Sequence, residues 1–482
     1  MVDFTPVLGL YMGRFLVCQH RCMTSPSCDL LLINADLIAT VDPARREIAN
    51  GWLAIAANRI VGIGGTSDTP PPATTVVDVR GCLVTPGLIN THHHIYQNLT
   101  RAYRPATSGG LFEWLTTLYP LWSRLDEEAA YISAWVGLAE LALGGCTTSM
   151  DHLYVHPRGS GDLITAEITA AKELGFRFHP TRGSMSLSKK DGGLPPDSVV
   201  QTDDEILTDS ERLVSLHHDR ASDAMVRVAL APCSPFSVTP ALMQATAELA
   251  EKLDVRLHTH LAEDADEDTY CLEVFGRRPV EQFEHVGWGS DRAWVAHCIF
   301  PSDDEIKRLG HWGTGVAHCP SSNMMLGNQG IAPVQQFRAA GVPVGLGCDG
   351  SASTDSASLW MESRNAMLLG RVKSGPPHFG ARDALEVATA GGAACLGRTG
   401  EIGELTVGAL ADVAVWHLGG VRFAGAISDP IEGWLRCGPF SPRHTIINGR
   451  FVVRNGELVS AFTEERIAQH RLVAEKMQRA DR

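Results

Sequence analysis

Apolar and polar positions change rhythm twice along this chain. Between residues 28 and 84 the apolar residues come in short runs, at 29–34, 37–41, 51–55, 58–63 and 76–79. Short runs closed by Asn, Asp, Gly or Pro predict strands. The Pro- and Thr-rich stretch 66–75 predicts a loop among them. From Pro86 the pattern alternates. Apolar runs at 84–89, 146–152, 177–182, 226–231, 255–260, 293–297, 313–318 and 342–349 are separated by longer stretches. Several of those stretches, 125–143, 163–174, 203–216, 239–253 and 279–285, carry helical periodicity. After about residue 396 the strand rhythm returns, at 408–416 and 444–457, with Asn448-Gly449 and Asn455-Gly456 as hairpin turns. Residues 464–479 predict a terminal amphipathic helix.

Eight short strands, most followed by a helix, predict an α/β chain built on a (β/α)8 barrel. A doubly wound open sheet is the alternative. It requires a glycine-rich phosphate loop after its first strand, and none stands there. The expected organisation is an N-terminal extension (1–27), the first part of a small β-sandwich (28–85), the barrel (86–395), the second part of the sandwich (396–460) and a C-terminal helix (461–482). The extension has an apolar piece at 7–17, interrupted by Arg14, but no basic amino end and no clear small-residue cleavage site. It is therefore not read as a signal peptide. It reads as an extension upstream of a start at Met23, with no role assigned.

Charge and cysteine usage narrow the class. The net charge is −14, from 41 basic and 55 acidic residues, and no basic run could track phosphates. Nucleic acid and anionic membrane are thus poor partners. No apolar run reaches the roughly 18 residues that a membrane span needs. Twelve cysteines are scattered without a paired Cys-x-x-Cys knuckle. Free, buried thiols in a reducing cytoplasm are expected.

The candidate chemistry lies at the ends of the barrel runs. In Asn90-Thr91-His92-His93-His94 the first and last imidazoles share a face, because strand side chains alternate sides. His260 ends strand five, Glu263 follows it by three residues, His297 ends strand six and Asp349 ends strand eight. A (β/α)8 barrel gathers such ends at one mouth. His92, His94, His260 and Asp349 then suit one divalent ion, zinc, with iron(II) as the alternative. Such an ion lowers the pKa of bound water towards about 7 and makes hydroxide available at neutral pH. Glu263 is the candidate general acid–base, Asp349 can also accept the proton of the water, and His297 can orient the hydroxide and steady its charge. A two-metal hydrolase is the competitor. It usually takes a bridging group from strand four, commonly a modified lysine, and the residues there, Leu230 to Phe236, include none.

Pro86-Gly87-Leu88-Ile89-Asn90-Thr91-His92-His93-His94, His258-Thr259-His260-Leu261-Ala262-Glu263, His318-Cys319-Pro320-Ser321-Ser322-Asn323 and Cys348-Asp349-Gly350-Ser351-Ala352-Ser353 resemble the amidohydrolase superfamily, in its mononuclear deaminase and triazine-hydrolase branch. The resemblance covers nearly all of the chain after residue 28, and it implies that His92, His94, His260 and Asp349 bind the metal while Glu263 and His297 serve catalysis. Thr354 departs from the pattern, where many relatives carry Asn. The stretches 182–197 and 231–237 resemble members that act on oxidised purines. The implied reaction is 8-oxoguanine and water to urate and ammonia, with isoxanthopterin and triazines as alternative substrates. Gln97, three residues past His94, resembles the glutamine by which guanine deaminase reads its purine, and an amide can donate and accept in one plane. Arg182 could hold a carbonyl oxygen or an anionic ring, with a salt bridge under the long loop 183–201 as its alternative. Trp114 and Tyr154 could stack on the ring, with a place in the core as theirs. The partner is then a small nucleobase-like molecule, and barrels of this type commonly form homo-oligomers.

Overall fold

The computed structural model describes residues 1–2, 27–438 and 440–479. The expected N-terminal extension falls almost wholly on residues 3–26, outside them. Eight parallel strands close into a barrel: Leu88–Asn90, Cys146–Leu153, Arg177–Ser184, Ala229–Pro232, Leu257–Leu261, Ala293–His297, Gly315–His318 and Val344–Leu346. Strand eight closes on strand one through Leu346 and Asn90. These strands are buried along their length, as parallel strands covered by helices must be.

The apolar run 84–89 does not form one strand. It divides at Gly87, with Cys82–Pro86 in an outer sheet and Leu88–Asn90 in the barrel. The chain passes so tightly here that a Cβ on Gly87 would lie 2.1 Å from the Thr147 side chain. Both flanks of the chain build the outer sheet. Val413–His417 runs antiparallel to Cys82–Pro86, pairing Val415 with Val84, and His444–Ile447 lies beyond it. On the other side Cys82–Pro86 pairs with Cys28–Ala39, which pairs with Glu47–Ala56. Among the described residues the sheet has nine strands and curls on itself, so that the Ile60 N–H donates to Ala409 O at 2.9 Å. Leu32, Ile55, Ile60, Val84, Leu405 and Val413 fill the space enclosed.

Two short runs expected at 29–34 and 37–41 are one strand, Cys28–Ala39. Asn34 takes a left-handed φ of 61° and the pairing register slips between Leu32 and Ala35. Asn tolerates that conformation, so a residue that signals a turn here makes a bulge.

Two helices frame the barrel mouth. Leu111–Trp122 was not legible as a separate helix in the sequence pattern. It packs through Trp114, Leu118 and Trp122 on Tyr96 and Leu99. Thr463–Gln478 lies against the turn Ile95–Thr100, where His470 Nε2 meets Asn98 Oδ1 at 2.8 Å and Gln478 donates to Leu99 O at 2.7 Å. Among the described residues no helix is long and apolar enough to cross a membrane.

Candidate metal centre and active site

Strand one ends at Asn90, and His93–His94 forms a separate two-residue ladder with Asp349–Gly350. That ladder carries the residues after strand one and those after strand eight to the same point. The expected alternation holds. His92 and His94 converge, with ring centroids 4.7 Å apart, while the His93 Nδ1 meets Asp349 O at 2.6 Å. His94 Nε2 lies 3.0 Å from His260 Nε2, and Asp349 Oδ1 lies 3.2 Å from His92 Nε2 and 3.4 Å from His94 Nε2.

The partners of these rings decide what the converging nitrogens can do. His94 Nδ1 faces His152 O at 2.7 Å and His260 Nδ1 faces Cys233 O at 2.6 Å. A carbonyl only accepts, so both Nδ1 atoms carry the proton and both Nε2 atoms of the neutral rings are bare lone pairs. The third ring reaches the same state through a relay. His258 Nδ1–H donates to Trp294 O at 2.9 Å, so its Nε2 accepts from His92 Nδ1–H at 2.8 Å. His92 Nε2 is left bare and has no hydrogen-bond partner. Burial pushes His92 and His94 below the usual imidazole range and His260 down to about 3, so all three are neutral near pH 7. Three buried lone pairs and a carboxylate around one point, with no proton between them, repel one another unless a cation lies among them. The donor set fits a divalent cation, with nitrogen and oxygen ligands suited to zinc. The carbonyls and His258 orient the rings as such a site requires.

Beside this cluster, His297 accepts from the Asn323 amide at Nδ1, at 3.0 Å. Its proton is therefore on Nε2, which faces Glu263 Oε2 at 3.6 Å and Asp349 Oδ2 at 3.9 Å. Burial, followed by the charges of Asp349, Glu267 and Asp264, pushes the Glu263 carboxyl well above the usual range. A carboxyl so placed favours its protonated form. His297 and Asp349 both hold left-handed backbone, at φ 69° and 58°, the kind of strain that surrounding structure must offset. Ser322 donates to Asp349 Oδ2 at 2.5 Å.

A narrow cavity opens over these groups. Its lining includes His94, Gln97, Trp114, Tyr154, His260, Glu263, His297 and Asp349. Every candidate named above borders it except His92, which lies beneath, and Arg182. The Gln97 amide interacts with the Tyr96 phenol, but neither amide atom completes a well-formed hydrogen bond within the protein. It lies against Gly350, where a Cβ would approach Gln97 Oε1 to 1.7 Å. Trp114 Nε1 donates to Ala352 O at 3.0 Å, and Tyr154 stands edge-on to His94 with centroids 5.0 Å apart.

Arg182 is corrected by the structure. It is buried, with Nε bonded to Asp209 at 2.5 Å and Nη2 to Gln201 at 2.7 Å. Alternate residues of a barrel strand face the surrounding helices, and Arg182 faces the helix Asp203–His217 that carries Asp209. The salt bridge under the long loop is what forms.

Other residues of the site escaped sequence reasoning. Leu111, Leu115 and Tyr119 come from the unexpected helix, and Cys233, Phe236 and Leu326 from loops. His258 could have been found. It precedes His260 by two, so alternation puts both on one face, as it does His92 and His94.

With this geometry in view, the chain's relatives fall into place. The amidohydrolase family profile matches residues 83–452, so the chain belongs to the amidohydrolase family. It is 47% identical over 427 residues to 8-oxoguanine deaminase of Pseudomonas aeruginosa, covering 88% of this chain and 94% of that one. It is 40% identical to hydroxydechloroatrazine ethylaminohydrolase of Pseudomonas sp. strain ADP, covering 79% and 80%. Atrazine chlorohydrolase of Arthrobacter aurescens, solved in complex with zinc, superposes with a TM-score of 0.88 at 33% identity, covering 92% of this chain and all of that one.

Proposed function

We propose that this enzyme deaminates 8-oxoguanine by hydrolysis: the amine-bearing ring carbon gains oxygen from water and loses its nitrogen, giving urate and ammonia. The observation that carries the reading is the convergence of three bare imidazole nitrogens and Asp349 beside the buried Glu263 carboxyl, under an amide, Gln97, without a well-formed hydrogen bond. The similarity to 8-oxoguanine deaminase supports the choice of substrate.

In this reading His92, His94, His260 and Asp349 hold one divalent ion, zinc, with iron(II) as the alternative. Bound there, the ion supplies hydroxide near neutral pH. Glu263 gives its proton to the ring nitrogen next to the amine-bearing carbon, so negative charge does not build up on the ring. His297 Nε2–H faces the space between Glu263 and Asp349 and steadies charge on the attacking oxygen. Asp349 takes one proton of the water and passes it to the departing amine, and the proton left on the attacking oxygen returns to Glu263 as the product carbonyl forms. Gln97 reads the lactam edge of the purine, donating and accepting in one plane. Trp114 and Tyr154 wall the ring plane. The described cysteines are all free and nearly all buried, which suits a cytoplasmic protein. We expect a homo-oligomer.

The alternative reading is an aminohydrolase of triazines or a deaminase of isoxanthopterin, supported by relatives with those names. Ammonia release from guanine, 8-oxoguanine, isoxanthopterin, cytosine and hydroxytriazines separates them. The largest kcat/KM should belong to 8-oxoguanine, with urate as the second product. A larger value for a triazine or a pterin would overturn the assignment.

A further inference from the structure

Strand five ends at Leu261, and the chain then turns sharply to present Glu263. Ala262 makes the turn with a left-handed φ of 51°, a conformation that residues with a Cβ rarely adopt. The carboxylate of Glu267, from the first turn of the helix Ala265–Phe275, lies beneath it. Glu267 Oε1 accepts from the Ala262 N–H at 2.9 Å and Oε2 from the Glu263 N–H at 2.9 Å.

Glu267 is buried, at 1% exposure. A buried carboxyl is costly unless something specific holds it, and here two consecutive backbone amides do. Capping the helix does not explain it, because Asp264 already caps that end by accepting from Asp266 N at 3.0 Å. The turn is gripped from its other side as well. Asn328 Nδ2 donates to Glu263 O at 3.0 Å, and the N–H groups of Ile299 and Phe300 donate to Ala262 O at 2.8 and 3.2 Å. The backbone of Glu263 is thus held on both sides, while its side chain is left to the cavity and to His297.

We propose that Glu267 is a positioning residue. Its carboxylate clamps the amides of Ala262 and Glu263 and aims the Glu263 carboxyl at His297 and the substrate. The importance of that aim rests on the role given to Glu263 above; the clamp is a property of the backbone and is tested apart from it.

E267Q keeps the side-chain shape but sets an NH2 group against one of the two amide donors. We expect kcat to fall at least about tenfold, a fraction of the roughly 10²–10⁴-fold that losing the proton carrier altogether costs, with KM and metal content unchanged within about twofold. Hydrogen exchange in a peptide spanning residues 257–266 should quicken. In an E263Q background, E267Q should change the residual rate by less than about twofold, because a residue that acts only through Glu263 has nothing left to aim. A262G should restore activity to E267Q, since glycine takes positive φ freely. Unchanged kcat and exchange in E267Q, or a full additive loss on top of E263Q, would overturn the proposal. Should E267Q fail to fold, A262G/E267Q decides. Recovery of active enzyme supports the clamp, and continued failure refutes it. If the wild type releases ammonia from none of the heterocycles, the functional reading falls, while the exchange rates still judge the clamp.

Discussion

The barrel has a cluster of buried polar groups at each end, and the two are built on opposite principles. At the foot, where the strands begin, Arg177 gives Nε to Asp412 at 2.8 Å, Nη1 to Ala224 O at 2.6 Å and Nη2 to Asp412 at 3.2 Å. Asp412 also accepts from Asn448 N at 2.7 Å. Arg398 beside it donates to Glu401, Ala224 O and Ser222 O. Donors meet acceptors throughout, and the cluster joins barrel to outer sheet. At the mouth, acceptor faces acceptor: His94 Nε2 against His260 Nε2, and His92 Nε2 against Asp349. A matched buried network rigidifies a fold, whereas an unmatched one is costly until a ligand completes it. Complementarity among its own atoms marks the foot as structural, and the lack of it marks the mouth as functional.

The largest expected effect follows from emptying the mouth. Dialysis against a chelator should abolish turnover, and added zinc should restore it while raising the midpoint of thermal unfolding, because a ligand that binds only the folded state stabilises it. Recovery of full activity without metal would break the contrast. Next in size is E263Q, expected to lower kcat by about 10²–10⁴-fold with metal content intact; a loss of metal in this variant would make Glu263 part of the binding set.

The foot should answer differently. R177M leaves Asp412 buried without its guanidinium and should cost about 3–5 kcal/mol in denaturant unfolding, while kcat of the folded enzyme stays within about twofold. A kcat collapse at unchanged stability would deny the division of labour between the ends.

The smallest effect is on pH. His260 and His318 are pushed down to about 3 and His297 to about 4 by burial. Between those values and about 6.5 the unfolded chain binds more protons than the folded one, so stability falls as pH drops through that window. Burial pushes Asp151 up to about 7 and Glu362 to about 8. These groups keep protons in the fold that the unfolded chain has lost, and their contribution disappears as pH rises through 7 to 8. Buried histidines outnumber such carboxyls, so the metal-free protein should be most stable near about pH 6.5. A stability that climbs steadily to pH 9 would contradict these assignments.

The sequence by itself determined the strand rhythm, the pairing of His92 with His94, the positions of His260 and His297 at strand ends, and those of Glu263 and Asp349 just beyond them. These follow from backbone geometry over a few residues, which holds wherever a strand lies. It did not determine that Arg182 turns outward to Asp209, that Gly87 divides one apolar run between two sheets, or that a helix at Leu111–Trp122 roofs the cavity. Nor did it reveal that Trp294 O and His258 hold the His92 proton on Nδ1 and so leave Nε2 bare. Each of those depends on which groups lie opposite one another across the fold. Burial then decides the outcome, because out of water each polar atom must take the partner that packing gives it.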